Sequence, residues 1–326
     1  MKNLVIGGTG FLGGEIVRQL AGQGQSVCAL CRRKSAGTAG GSEIVFGDIT
    51  DKPSLLKAMR GVETVYHTAS VPAISVSWKP FYETNVLGAK NVLDACKQSG
   101  VRRLIYTSSA SVVFGCTSQE NVDETVPYPK KWYAHYPRSK SVAEQMILNE
   151  NGLLTCSIRP HLIIGERDRH LFPRLFRRAE SGKLFRVGDG TNRIDIIFVE
   201  NAAQAHIQAA NALTDENSPV NGKAYFVSQG QPVNCWDWIN EILAFKGLPA
   251  VKKSISFEAA WRYGFCLEGL YRLFRLRGEP VMTRFLAAQL AKTHYLNNAN
   301  ACRDFGYVPK LSYRDGMERL KEFLKK

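Results

Sequence analysis

The stretch Gly7-Gly8-Thr9-Gly10-Phe11-Leu12-Gly13 follows a short aliphatic run at residues 3–6 and opens a helical period at residues 12–21. Glycine is needed where a chain turns with positive φ, where backbone approaches a pyrophosphate, and where a helix packs closely on a strand. The N–H groups at the start of such a helix can bind phosphate. This order of strand, turn and helix predicts a dinucleotide-binding fold. The residues expected to contact the dinucleotide are Gly7, Thr9, Gly10, Phe11, Leu12 and Gly13.

Strand-like and helical segments alternate through the first half of the chain. Strands are predicted at residues 3–6, 26–31, 44–46, 64–67, 104–108 and 155–158. Helices are predicted at residues 12–21, 52–59, 80–98 and 137–149. This alternation is typical of an α/β protein with a Rossmann-type, doubly wound parallel sheet that carries helices on both faces.

The alternation breaks after Gly165. A helix at 173–181, a strand at 195–198, a helix at 202–212 and a strand at 224–227 are predicted, and we expect the last strand to rejoin the sheet. The remainder, from residue 231, has mainly helical periodicity. We therefore expect a dinucleotide-binding domain over residues 1–164, rejoined by about 195–230. A smaller, mainly helical C-terminal substrate lobe would comprise residues 165–194 and 231–326.

The composition is that of a globular protein. A length of 326 residues predicts roughly two domains. The hydrophobic fraction of 44% and the charged fraction of 22% exclude a disordered or collagen-like chain. No apolar run reaches the ~18 residues of a membrane span. The N-terminus runs straight into the glycine turn and leaves no room for a signal peptide, so we expect a cytoplasmic protein.

The net charge of +14 permits attraction to polyanions, but the basic residues are scattered in pairs such as Arg102-Arg103. No nucleic-acid-binding motif accompanies them, so we expect no nucleic-acid partner. The eight cysteines lie mostly in apolar runs, which suits buried, reduced thiols. The pair Cys28 and Cys31 lacks a second ligand pair, and no metal site is expected.

The end of the second predicted strand bears on the choice of dinucleotide. NAD-preferring sites place Asp or Glu there to bond the ribose 2′-hydroxyl. Here Cys31 ends the strand, and Arg32 and Arg33 follow it. A carboxylate would repel a 2′-phosphate, whereas a guanidinium can bind one through two parallel hydrogen bonds. The sequence therefore predicts NADP(H) over NAD(H), the alternative being that these arginines are merely solvated.

The segment YPRSK at residues 136–140 has the features of an acid–base site. Pro137 is tolerated in a first helical turn, which places Tyr136 at a helix start and Lys140 one turn later on the same face. An ammonium near a phenol stabilises the phenolate and lowers the tyrosine pKa from its ordinary value of ~10. Ser109 follows an apolar strand, at the edge where ligands bind, and its hydroxyl can hold a carbonyl oxygen. Ser108 takes this role if the register is one residue off.

Together these motifs resemble the short-chain dehydrogenase/reductase superfamily in its extended form, over nearly the whole chain. The resemblance implies that Tyr136 is the acid or base, that Lys140 bonds the nicotinamide ribose, and that Ser109 orients the carbonyl. By the same resemblance, helices 80–98 and 137–149 would pair across a two-fold axis in a homodimer. The further cofactor contacts that it implies are Asp48, Ile49, Ala69 and Pro160.

The segment DIIFVENAAQAH at residues 195–206 resembles the 3β-hydroxysteroid dehydrogenase/isomerase branch of that superfamily. Nucleotide-sugar enzymes usually have an arginine immediately before Asp195, where this chain has Ile194, with Arg193 one residue early. Within the branch, the chain is similar to bacterial reductases of 2-alkyl-3-oxoalkanoates in long-chain olefin biosynthesis. These are in turn similar to sterol 4-carboxylate 3-dehydrogenases.

The resemblance implies an NADP-dependent reduction of the 3-keto group of a long-chain 2-alkyl-3-oxo acid. A sterol 4-carboxylate 3-dehydrogenase, or an enzyme of the 3β-hydroxysteroid dehydrogenase/isomerase type, is the first alternative. An epimerase or isomerase that keeps its nicotinamide bound is another. A regulator or scaffold without chemistry is a third, but it would need no acid–base trio.

A carboxylated, apolar substrate requires a cation in an otherwise apolar pocket, and Arg193 and His161 are the candidates. The segment 257–277 mixes aromatic and aliphatic residues with arginines. It could be a helix packed on the core, a hydrophobic lid, or a contact with an anionic membrane surface. We therefore keep open a peripheral membrane location, and an association with other enzymes of a pathway.

Overall fold

The computed structural model describes residues 2–32, 42–72, 77–276 and 278–325. Its strands are β1 (Lys2–Ile6), β2 (Ser26–Cys31), β3 (Glu43–Phe46), β4 (Thr64–His67), β5 (Arg103–Thr107), β6 (Gln119–Val122), β7 (Leu154–Pro160), β8 (Leu162–Ile164), β9 (Arg186–Val187), β10 (Arg193–Ile194), β11 (Ile196–Phe198), β12 (Lys223–Val227), β13 (Val233–Asn234), β14 (Ser254–Ile255) and β15 (His294–Leu296). Its α-helices are α1 (Phe11–Gly22), α2 (Lys52–Ala58), α3 (Lys79–Phe81), α4 (Gly88–Gln98), α5 (His135–Leu148), α6 (Leu171–Glu180), α7 (Val199–Ala212), α8 (Cys235–Phe245), α9 (Phe257–Leu273), α10 (Arg284–Ala291), α11 (Ala299–Phe305) and α12 (Tyr313–Lys325).

Within the described ranges, seven strands form one sheet in the order β12-β7-β5-β4-β1-β2-β3. All six neighbouring pairs are parallel. The strand order reverses between β1 and β4, because β1 pairs with both β2 and β4. In doubly wound sheets this reversal opens a crevice beyond the carboxyl ends of the strands, which is where ligands bind.

Helices cover both faces of this sheet. On one face, α1 and α7 pack their apolar sides against the strands, as Ile16 and Ala205 illustrate. On the other face, α2, α4 and α5 do so, as Leu55, Val92 and Ala143 illustrate. The predicted fold class, a Rossmann-type doubly wound parallel sheet, is therefore confirmed.

The predicted strand 195–198 does not enter this sheet. It corresponds to β11, which pairs with β8 in a separate parallel ladder. The chain leaves the main sheet after Pro160, whose missing N–H cannot continue a ladder. The predicted strand 224–227 corresponds to β12, which pairs with β7 at the sheet edge.

The part of the chain after β12 is mainly helical, as expected, but it also contributes three short strands. Two of these strands, β13 and β15, form a four-stranded sheet with β6 and β10, and β14 pairs with β9. These pairings join residues 186–194 to residues 233–296. Trp236, Ile242 and Leu320 belong to the apolar cluster at this end of the protein. Among the described helices, none combines the length and the apolar character that crossing a membrane requires.

A π-helical turn interrupts one long helix. Between α3 and α4 the chain forms a π-helix over Tyr82–Leu87 without a break in the helical path. Asn85, inside this turn, accepts a hydrogen bond from the Val71 N–H at 2.8 Å and donates one to the Ser139 hydroxyl at 2.9 Å. The turn therefore fastens the loop after β4 to helix α5, and π-turns of this kind are frequent at functional sites.

Candidate active site and cofactor cleft

A cavity of about 950 Å³ runs along the carboxyl ends of the sheet strands and on to α6, α9 and α10. Three of the residues predicted to act on the substrate line it, and they are Ser108, Ser109 and His161. Arg33 lies outside the described residues. Lys140 is buried behind the cavity wall. The predicted cofactor residues on the wall are Gly7, Thr9, Gly10, Phe11, Leu12, Gly13, Arg32, Asp48, Ile49, Ala69, Tyr136 and Pro160.

The glycine turn leaves a cradle that side chains would fill. Gly7 has a φ of +88°, and a Cβ built on it would lie 2.7 Å from the Thr68 hydroxyl oxygen. A Cβ on Gly13 would lie 2.2 Å from the Gly7 carbonyl oxygen. Gly10 is the N-cap residue of helix α1 and offers no capping side chain, so no cap occupies the phosphate-binding end of the helix. These residues fit the pyrophosphate of a dinucleotide.

The other end of this groove lies beside β2 and β3. Cys31 is buried at the end of β2, and Arg32 is exposed beside it. Among the described residues no carboxylate pairs with Arg32. The Asp48 carboxylate accepts hydrogen bonds from the Thr50 N–H at 2.9 Å and from the Thr50 hydroxyl at 2.8 Å. The cationic group beside the end of β2 is therefore the Arg32 guanidinium, which has no carboxylate partner in the part of the chain that the structure describes.

Ser109 and Tyr136 meet on the cavity wall. Ser109 follows β5 and caps a 3₁₀ turn, where its oxygen accepts a hydrogen bond from the Ser111 N–H at 3.2 Å. Tyr136 lies in the first turn of α5, as its position before Pro137 predicts. Burial raises the pKa of Tyr136 above its ordinary value, and a hydrogen bond from Ser109 opposes that shift. The phenol is therefore protonated at neutral pH.

The expectation that Lys140 lowers the pKa of Tyr136 is wrong for this arrangement. The Lys140 amine donates a hydrogen bond to the Thr107 carbonyl oxygen and lies 4.1 Å from the centre of the Tyr106 ring. Burial lowers the pKa of Lys140 to about 7, against the opposing effect of the Glu144 carboxylate. Because the amine is directed at a backbone carbonyl and is only partly charged near pH 7, burial determines the pKa of Tyr136.

A buried ion pair supports this face of α5. Glu144 lies one helical turn after Lys140, and its carboxylate pairs with Arg159 at 2.7 Å. It also accepts hydrogen bonds from the Tyr128 and Ser157 hydroxyls, both at 2.7 Å. Burial would raise the pKa of Glu144, but Arg159 and these hydroxyls lower it below its ordinary value. Since Arg159 precedes Pro160, the pair holds α5 against the end of β7 that borders the cavity.

Three buried polar atoms near Lys140 have no hydrogen-bond partner among the described residues. They are His67 Nδ1, the Tyr106 hydroxyl and the Ser108 hydroxyl. Burial and the Lys140 charge lower the pKa of His67 to about 3, so its ring is neutral. Unpaired buried polar atoms are uncommon, and these three cluster at the carboxyl ends of β4 and β5. Ser108 is the one that lines the cavity.

The structure contradicts both candidates for the substrate cation. Arg193 does not line the cavity; its guanidinium lies 5.2 Å from the centre of the Tyr295 ring. His161 lines the cavity, but its Nδ1 accepts a hydrogen bond from the Leu162 N–H at 2.8 Å. Its Nε2 therefore carries the proton and donates to His294 Nδ1 at 2.8 Å. Burial and the neighbouring His294 lower the pKa of His161 well below its ordinary value, so the ring is uncharged.

Other cavity cations come from helices that the sequence analysis did not connect to the site. Arg284 donates two hydrogen bonds to Glu268, at 2.9 and 2.7 Å. Arg174 pairs with Glu279 at 3.0 Å. Arg272 lines the same end of the cavity, and no carboxylate among the described residues pairs with it. No local motif marks these arginines, because α6, α9 and α10 meet only in the folded chain. Apolar residues on the same cavity wall are Phe114, Trp132, Tyr133, Leu171 and Phe285.

Comparison with known proteins shows which family and which enzymes this chain is similar to. The model of the 3-beta hydroxysteroid dehydrogenase/isomerase family matches residues 4–258. The chain is 42% identical to the 2-alkyl-3-oxoalkanoate reductase of Stenotrophomonas maltophilia, over 98% of each sequence. It is 34% identical to the decarboxylating sterol-4-alpha-carboxylate 3-dehydrogenase of Mus musculus, over 98% of this chain and 89% of that protein. The crystal structure of UDP-glucose 4-epimerase from Thermus thermophilus with NAD is similar in fold, with a TM-score of 0.74 and 22% identity over 100% of this chain and 99% of that one.

We predict that Gly13→Ala weakens binding of a nicotinamide dinucleotide at least about tenfold, because the new methyl group displaces the Gly7 carbonyl from the phosphate cradle. Gly14→Ala is the matched control, since its Cβ would lie 3.4 Å from the nearest atom, the Gly8 carbonyl oxygen. Fluorescence titration with NADPH measures both affinities. Equal affinities for the two variants would contradict the assigned cradle.

We predict that Lys140 makes stability increase with pH. A lysine whose folded pKa is lowered destabilises the folded state below that pKa, and the penalty is lifted as the pH rises toward the unfolded value. Since burial brings the pKa of Lys140 to about 7, the free energy of unfolding should rise by about 1–2 kcal/mol between about pH 7 and about pH 8.5. Urea unfolding at both pH values measures this rise, and Lys140→Met should lack it. If the free energy of unfolding changes equally with pH in wild type and in Lys140→Met, titration of Lys140 is not the cause.

Proposed function

Because this chain belongs to the 3-beta hydroxysteroid dehydrogenase/isomerase family and is an NAD(P)-dependent oxidoreductase, we propose that it uses NADPH to reduce the 3-keto group of a long-chain 2-alkyl-3-oxo acid. The product is the 3-hydroxy acid. The observation that carries the proposal is the pairing of Ser109 with a protonated Tyr136 on the cavity wall, beyond the carboxyl end of β5.

The protonated state of Tyr136 suits reduction. When bound, NADPH supplies the hydride that the keto carbon accepts. Tyr136 donates its phenolic proton to the keto oxygen, and Ser109 donates a hydrogen bond to the same oxygen. A raised pKa keeps the phenol protonated until the oxygen gains negative charge. We propose that Lys140, on the same helix, holds the nicotinamide ribose.

The preference for NADP(H) is part of the proposal. Arg32 lines the groove next to the end of β2, where Cys31 stands in place of a carboxylate. An arginine with no carboxylate partner among the described residues is suited to a 2′-phosphate, which it can bind through two parallel hydrogen bonds. We propose that Arg33 assists it.

The substrate class rests on the named relatives and on the far end of the cavity. The bacterial relative is named a reductase of 2-alkyl-3-oxoalkanoates, which combine apolar chains with a carboxylate. Phe114 and Phe285 provide apolar wall, and Arg272 provides a cation for the carboxylate. Oxidation of a sterol 4-carboxylate at the 3-position is the second candidate, favoured by the 34% identity to the mouse enzyme.

Two features of organisation are proposed with this function. Residues 1–164, rejoined by about 195–230, would bind the dinucleotide, while residues 165–194 and 231–326 would bind the substrate. The long helix that ends in α4 and the helix α5 would pair with those of a second copy. The exposed apolar side chains Tyr82, Leu87 and Val142 on these helices support such a homodimer.

We predict that Tyr136→Phe lowers single-turnover oxidation of NADPH by a 2-alkyl-3-oxo acid by about 10²–10⁴-fold, because the phenolic proton is lost. Tyr313→Phe, on α12 and outside the cavity wall, should retain the wild-type rate. Stopped-flow absorbance of NADPH gives all three rates. Equal rates in wild type and Tyr136→Phe would refute the mechanism. Turnover of a sterol 4-carboxylate with NADP⁺, and none of the oxo acid, would select the second candidate.

We predict that Arg32→Asp reverses the preference between NADPH and NADH. The substitution removes a cation and adds a carboxylate that repels a 2′-phosphate but can bond a 2′-hydroxyl, a change worth at least about tenfold in the ratio of affinities. Arg60→Asp is the charge-matched control, at an exposed position outside the cavity wall. Unchanged preference in Arg32→Asp would remove the assignment of NADP(H) to this arginine.

A further inference from the structure

Helix α9 and the turn that follows it expose an apolar surface. Across its 17 residues, α9 fully buries only Ala260, Gly264 and Glu268. Leu273 is 75% exposed and Phe274 is 64% exposed, although burying such side chains is normally favourable. We call this the α9 surface. Its exposed large apolar members are Tyr263, Phe265, Leu270, Leu273, Phe274 and Leu276.

Between residues 262 and 276 the exposed charges all have the same sign, and the exposed carboxylate of Glu258 lies one turn before Arg262 on α9. Arg262, Arg272 and Arg275 are exposed. Between residues 262 and 276, all of which the structure describes, the single carboxylate is that of Glu268. It is buried and ion-paired with Arg284 at 2.7 Å. The outward face therefore combines aromatic and aliphatic side chains with an excess of cations, which is the composition of helices that lie in anionic membrane interfaces.

The α9 surface adjoins the substrate end of the cavity. Arg272 and Glu268 line the cavity from α9, and Leu171 and Arg174 line it from α6. The ion pair between Arg174 and Glu279, at 3.0 Å, ties α6 to the segment just after α9. Leu273 directly follows Arg272 in the chain. The apolar surface therefore adjoins this wall of the cavity, and Arg272 lies at the boundary between the two.

We propose that the α9 surface binds the headgroup region of an anionic lipid bilayer and holds the substrate end of the cavity at the membrane. The exposed phenylalanine and leucine side chains enter the interface, while Arg262 and Arg275 contact lipid phosphates. An apolar substrate can then pass between bilayer and cavity without crossing water. This delivery step rests on the proposed function, whereas the docking surface rests on the exposed residues alone.

The charges favour a bilayer over a second copy of the chain as the occupant. In a two-fold interface the same patch faces itself, so Arg262, Arg272 and Arg275 of one copy would oppose those of the other. Against these cations α9 exposes one carboxylate, that of Glu258, which is too few to neutralise them. Anionic lipid supplies the missing negative charge, and the net charge of +14 adds to the attraction.

The test is flotation of the purified full-length protein with lipid vesicles. One set is phosphatidylcholine alone, and the other contains a quarter phosphatidylglycerol. Wild type should float with the anionic vesicles and lose at least about tenfold of that binding in Leu273→Ser/Phe274→Ser, because both apolar anchors are removed. The matched control is Val308→Ser/Phe323→Ser, which removes apolar side chains that are 63% and 41% exposed on other elements. It should float like wild type.

Two further measurements make every outcome decisive. Turnover of a short, water-soluble 2-alkyl-3-oxo acid should be unchanged in Leu273→Ser/Phe274→Ser, whereas turnover of a long-chain substrate embedded in anionic vesicles should fall. Equal flotation of wild type and this variant, or no flotation of wild type, overturns the proposal. If sedimentation shows a dimer for wild type and a monomer for this variant, the α9 surface binds a second copy of the chain. That result also overturns the proposal. If no oxo acid is turned over by any variant but flotation behaves as expected, the proposed function fails and the docking surface stands.

Discussion

The hydrogen bond from the buried Lys140 amine to the Thr107 carbonyl oxygen joins α5 to the end of β5, and the site is assembled around it. The Thr107 hydroxyl is 2.8 Å from His206 Nε2, and His206 Nδ1–H donates to the Ala202 carbonyl oxygen at 2.7 Å. Because Nδ1 carries the proton, the Thr107 hydroxyl is the donor to Nε2. The carboxyl end of β5 thus bonds to α5 on one face of the sheet and to α7 on the other. These bonds fix the backbone that leads into Ser109.

Burying an amine among apolar groups is costly, and the fold reduces the cost in two ways. Burial brings the pKa of Lys140 to about 7, so the amine is neutral in much of the population near neutral pH. Glu144, one helical turn away, stabilises the charged form but is itself committed to Arg159. The site therefore holds a lysine close to its titration point next to a tyrosine that remains protonated, a combination suited to proton transfer toward a substrate oxygen.

Charge is divided between the two ends of the cavity, with a mainly apolar wall between them. Arg32 lies at the end that adjoins β2, and Arg272 lies at the end formed by α9, while the paired His161 and His294 are neutral. Their ring nitrogens are committed to each other, to the Leu162 N–H and to the Gln289 carbonyl oxygen. This arrangement suits a phosphorylated dinucleotide at one end and an anionic, apolar acid at the other.

Local sequence was sufficient for the parts of this protein that depend on short-range constraints. The strands β2 (Ser26–Cys31) and β4 (Thr64–His67) have the predicted bounds, and the glycine turn lies where its spacing indicates, because φ preferences, apolar periodicity and helix-start chemistry act within a few residues. Tertiary structure alone decided three other features. These are the direction of the Lys140 amine, the position of Arg193 outside the cavity wall, and the position of Arg272 on that wall. Each depends on which distant element packs against the side chain and on how far that contact excludes water from it. The neighbouring sequence encodes neither the packing partner nor the extent of burial.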